Sequence, residues 1–235
     1  MFSPSSTGAY SWSLIRYVGL LIQFAFISFI LIVGPLLALR GAGGSTLKRA
    51  APISLAFFSV GVGFMLVEVG LMQKLTLYVG HPNYAVSAVL FSILLSSGVG
   101  SYVSGRMKVS AVTLLTVAVV AIIIGVAAFS LFGQDLLRST LHLSVGRRIV
   151  IAIVAMSPLG FFMGFPFPTM LARVETTTSS LSPWAYGVNG FASVLASLAA
   201  IPLSIGIGFT GTFQVGALTY LLALGAFALA DRQTS

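Results

Sequence analysis

Cysteine is absent from all 235 residues. That excludes a disulfide framework and a thiolate metal site, and it leaves nothing to infer about redox compartment. Acidic residues are almost as scarce: Glu68, Asp135, Glu175 and Asp231 are the only four. So few carboxylates cannot build a conventional two-metal centre. Charged residues of both signs make up 7 % of the chain, against about 25 % in soluble domains. Also missing are a Gly-rich nucleotide loop, a His-Glu-x-x-His pair and a nucleophile elbow. No cofactor is expected, and no soluble-type catalysis within this chain. Strand alternation is lacking too, which argues against a membrane β-barrel.

What is present is apolar: 57 % of residues are hydrophobic. The composition predicts an integral membrane protein of the all-α class, a polytopic bundle of transmembrane helices. A net charge of +8 would suggest nucleic acid in a soluble protein. Here the twelve Lys and Arg stand mostly at segment ends, where they anchor helices and set orientation. The expected partner is therefore the lipid bilayer, with no nucleic acid. The start, Met1-Phe-Ser-Pro-Ser-Ser, lacks the basic region of a signal peptide, and the first apolar run is too long for one. It reads as an uncleaved span.

A hydrocarbon core of ~30 Å needs about 20 apolar residues in a helix. About seven stretches qualify: 17–39, 52–79, 84–103, 109–132, 149–172, 184–207 and 212–230. Residues 17–230 thus form a single membrane domain, between short tails at 1–16 and 231–235. Residues 40–49 read as a polar loop with three positive charges, and 134–148 as a segment lying in the interface. Under seven spans one side carries Arg40, Lys48, Arg49, Arg106, Lys108, Arg173 and Arg232. The other carries Arg16, Lys74, Arg138, Arg147 and Arg148. The excess marks the first side as cytoplasmic.

Glu68 is the chemically loudest residue, because an ionisable group at membrane depth costs several kcal/mol, roughly 2.5–3.5 on insertion scales. It reads as a buried carboxyl bonded across the bundle, or as a proton, cation or substrate site. Lys74 lies six residues on and off its face, so the two are poor mutual partners. Gln73 shares the same run. Gly80-His81-Pro82-Asn83 is a tight break between spans. His81 there is either a turn cap at headgroup level or a member of a proton relay. Residues 96–108 are rich in Gly and Ser and close on Arg106 and Lys108, a pattern of close helix packing with a basic anchor. Pro158, Pro166 and Pro168, with Gly160 and Gly164, make a straight span over 149–172 improbable. A kink or early stop at Gly164 and a transporter-like midplane site both fit. Pro183 opens the next span. Trp184 suits an interfacial belt, and Tyr186, Asn189 and Ser193 approach one helix face as glue or as cavity lining.

Gly63-Phe-Met-Leu-Val-Glu68-Val-Gly-Leu-Met-Gln73-Lys74 and the run from Gly80-His81-Pro82-Asn83-Tyr84 to Ser101 resemble the C-terminal membrane region of bacterial membrane-integrated spermidine synthase-like proteins. Met163-Gly164-Phe165-Pro166-Phe167-Pro168-Thr169 and the run from Pro183 to Ser197 are similar to later motifs of that region, in the same order over residues 52–230. The resemblance implies a multi-pass protein of the bacterial inner membrane. In that family a soluble synthase-like domain is joined to the helices. This sequence contains no such domain, so aminopropyl transfer does not carry over. The expectations are a membrane anchor for a separately encoded synthase-like partner, or a carrier of a small, cationic, polyamine-like solute. The alternative is a structural assembly module, with an intramembrane enzyme behind it.

Overall fold

The computed structural model describes residues 44–233, with isolated helical positions between 16 and 30. Among the described residues every regular element is a helix. Helix α1 spans Gly44–Val79, with Pro52 inside it. It starts earlier than expected, so residues 44–49 are its first turns and not part of a polar loop. Leu47, Lys48, Arg49 and Ala50 are good helix formers, and Pro52 removes only one bond near the helix start. The helix stops at Gly80, whose φ of +82° suits glycine alone. His81 is extended, as a residue before proline prefers, and Pro82 opens α2 (Pro82–Ser104).

Helix α3 (Ala111–Ser139) is capped by Ser110, whose Oγ accepts the Thr113 N–H at 3.1 Å. It runs on past residue 134, and α4 (Val145–Met163) takes Arg147 and Arg148 into its first turn. The interfacial segment expected over 134–148 therefore does not exist as an element. Nothing between Gln134 and Ser139 breaks a helix, and Leu137 packs against the core. After α4 the chain breaks at Gly164 and Phe165, resumes as α5 (Pro166–Thr177), and passes a 3₁₀ turn (Ser179–Leu181). Helix α6 (Ser182–Arg232) completes the fold.

Within α6, Gly208 has φ 77° and ψ 164°, and there the helix folds back on itself. Trp184 Nε1 donates to Ser54 Oγ at 2.8 Å and Ser204 Oγ to Gln73 Oε1 at 2.7 Å, so the first limb runs parallel to α1. Phe213 packs on Gly70, and Tyr220 on Gly63, so the second limb runs antiparallel. The two limbs clasp α1. Among the described residues five helices are long and apolar enough to cross a membrane, not seven. The two stretches expected at 184–207 and 212–230 are two helical limbs that meet at Gly208 with no loop between them, and the stretch at 17–39 lies largely outside the described residues.

The largest buried side chains include Phe57, Leu71, Phe213, Tyr220 and Phe227, all on α1 or the second limb. The outer surface is also apolar: Ile205 is 82 % exposed, Leu77 73 % and Phe132 69 %. That inversion of the usual soluble surface is compatible with a membrane protein. The connections alternate between two ends. At one, Arg173 Nε meets Asp231 Oδ1 at 2.6 Å, near the start of α1. At the other, Tyr78 Oη lies 2.7 Å from Thr140 Oγ1, and Arg148 Nη1 donates to the Tyr78 carbonyl at 2.7 Å.

Candidate functional site

Glu68 sits where α1 is held between the limbs of α6, and it is 3 % exposed. The glycines around it make the fit possible. A Cβ at Gly61 would strike the Asn189 carbonyl, one at Gly63 the Thr219 and Tyr220 side chains, and one at Gly70 would press on Phe213. Backbones approach closely at such positions, and Glu68 is buried between them. No hydrogen bond or ion pair reaches Glu68 from the described residues. The nearby Tyr220 hydroxyl is fully buried and likewise has no hydrogen-bond partner among the described residues. Lys74 does not pair with Glu68. Its ammonium lies 5.6 Å from the centre of the Phe129 ring and 5.5 Å from that of Phe213.

A cleft of about 390 Å³ opens on one side of this region. Its walls are Val60 and Phe64 of α1, Ser97 and Ser101 of α2, Gly164 and Pro168 at the α4–α5 break, and Asn189 and Ser193 of α6. The break creates polar backbone here, because Pro168 has no N–H to offer the Gly164 carbonyl four residues back. Asn189 adds a buried Oδ1 with no hydrogen-bond partner among the described residues. Ser193 Oγ is already engaged, 2.9 Å from the Asn189 carbonyl. The walls owe their closeness to glycine again: a Cβ at Gly164 would overlap the Ser97 carbonyl, and one at Gly100 the Phe161 carbonyl. Glu68 does not line the cleft, but it follows Phe64 by four residues. It thus continues the Val60–Phe64 stripe one turn, about 6 Å, deeper.

The expected site residues therefore separate into groups. Asn189, Ser193, Gly164 and Pro168 share the cleft, while Pro166 is buried behind it at the start of α5. Tyr186 stands apart from Asn189 and Ser193. It is 55 % exposed and its ring packs edge-on to Phe167, 5.2 Å away. Gln73 lies at the Gly208 end, joined through Ser204 to Thr212, whose Oγ1 is 3.0 Å from Ser204 Oγ. His81 and Pro82 are exposed at that same end, the imidazole tilted against the Tyr84 ring with centres 5.0 Å apart. Thirteen residues, roughly 20 Å of helix, separate His81 from Glu68. The Gln73–Ser204–Thr212 cluster and the ring cage around Lys74 were not anticipated. Each joins groups from separate helices, and no spacing within one segment announces them.

No protein-family model, curated protein or solved structure matches this chain.

Proposed function

We propose that this chain is a multi-pass protein of the bacterial inner membrane, akin to the membrane region of spermidine synthase-like proteins, and that it binds and moves a small cationic solute. In this reading the two limbs of α6 cross separately. With 17–39 as a further span, the chain crosses seven times. The end bearing Arg106, Lys108, Arg173 and Arg232 faces the cytoplasm, by the excess of basic residues there.

One observation carries the solute reading: Glu68 is buried with no cationic or hydrogen-bonding neighbour among the described residues. A carboxylate at membrane depth needs a countercharge, a proton or water. A protonated amine entering by the cleft would supply the charge, with Asn189 Oδ1 and the Gly164 carbonyl as neutral acceptors on the way. In inverted membrane vesicles Glu68→Gln should reduce uptake of labelled spermidine at least about tenfold, the scale of a lost charge-assisted contact. Unchanged uptake at equal protein level removes the solute site.

A second reading has its own support. The backbone-to-backbone contacts at Gly100 and Gly164 are what a rigid scaffold needs. In that case the chain anchors a separately encoded synthase-like protein and carries no solute. Co-purification of such a partner with both wild type and Glu68→Gln, without amine transport, identifies this outcome.

A further inference from the structure

A second cavity, of about 480 Å³, lies at the Gly208 end and plays no part in the solute reading. Lys74 and Tyr78 of α1, Phe129, Leu137 and Arg138 of α3, and the turn from Gly208 to Thr210 line it. Three features give it one electrostatic sign. The Lys74 ammonium is buried against two aromatic faces and has no hydrogen-bond or ion-pair partner among the described residues. Arg138 shares the cavity wall and forms no ion pair among the described residues. The second limb of α6 begins after Gly208, and its first residues, Phe209 and Thr210, line the cavity, where a helix start carries partial positive charge.

The neighbouring charges reinforce that sign. Arg148 lies behind Tyr78, its guanidinium over the ring at 5.8 Å, and Arg147 is exposed on the same end. The acidic residue nearby in sequence is Asp135, which is exposed on α3 and makes no ion pair among the described residues. A lysine this close to a helix end ordinarily extends its ammonium to water. Here the ring cage holds it inward, which retains part of the charge stabilisation yet leaves its N–H donors unused. Around the cation the walls are apolar, with Leu77, Leu141, Ile207 and Phe209.

We propose that this cavity binds a phosphate group, with Lys74 as the inner anchor, Arg138 at its side and the first turn of the second limb as backbone donor. The apolar walls and the position at a bundle end fit the phosphate of an anionic lipid headgroup. A soluble phosphate ester offers the same chemistry and is the other source. The full chain, purified in mild detergent with mixed phosphatidylglycerol and phosphatidylcholine, should retain phosphatidylglycerol in native mass spectra. Arg138→Gln, at an exposed position, should lower that retention about tenfold, and Lys74→Gln at least as much, whereas Arg106→Gln at the opposite end should not change it. Thermal protection by inorganic phosphate without lipid, lost in Arg138→Gln, supports the phosphate site and assigns it to a soluble ligand. Equal retention of both lipids, with no phosphate protection, overturns the site. So does retention unaltered in Arg138→Gln.

Discussion

Glycine, more than any polar residue, decides what this interior can hold. At Gly164 and Gly100 the missing Cβ is replaced by a neighbouring helix backbone, whereas no described residue comes within 4 Å of a Cβ placed at Gly190. Gly164→Ala should therefore destabilise the protein by about 1–3 kcal/mol, the usual cost of overpacking. Gly190→Ala should be neutral or stabilising by up to about 1 kcal/mol, since an interior helical glycine mainly costs entropy. Thermal denaturation of the two variants in detergent separates these outcomes. Equal melting temperatures would mean that α2 and α4 are not in backbone contact. The small residues of 96–104 and 157–164 were legible as close-packing surfaces. That Ser97 would face Gly164 was not, because pairing between helices leaves no mark within either one. Glu68 was legible as an anomaly, but its lack of a partner emerges only when α6 is folded around α1.

At the scale of elements, the reversal in α6 is the feature that most reshapes the fold. The sequence shows an interruption between 207 and 212, where Gly206, Gly208 and Gly211 cluster. It does not show that helix continues on both sides up to one residue. Gly208 alone absorbs the turn, at a φ of 77° that costs a side-chain-bearing residue about 1–3 kcal/mol. The chain's lack of cysteine makes the hairpin easy to probe. Ser204→Cys with Thr212→Cys should form a disulfide readily, since the native Oγ atoms are 3.0 Å apart across the bend. Absence of that cross-link under oxidising conditions, in protein that still folds, would exclude the antiparallel limbs. The proline break is the complementary case. The prolines and glycines of 158–168 pointed to a kink or an early stop at Gly164; the helix does end at Met163, although it runs through Pro158. Tyr186 shows where such rules fail: helical spacing placed it with Asn189 and Ser193, but Phe167 of α5 draws its ring to the outer edge.

For the whole molecule, apolar composition identified a helical membrane-type chain, and the buried fraction of its helices agrees with that. Only 22–61 % of the most apolar window of each candidate span is buried inside the protein. The remainder needs lipid or another chain. The two ends of the bundle differ in role under the proposed topology, with the basic Arg106–Lys108 turn inside and the His81–Pro82 turn outside. A membrane-impermeant thiol reagent applied to intact cells should label His81→Cys and spare Lys108→Cys, and the reverse pattern would invert the orientation. Most direct for the central claim is equilibrium binding of labelled spermidine to the purified full chain in lipid nanodiscs. Wild-type protein is expected to bind saturably, and Glu68→Gln to lose at least about tenfold in affinity while melting at a similar temperature. Equal binding by both proteins, or none by the wild type, would contradict a cation site at Glu68.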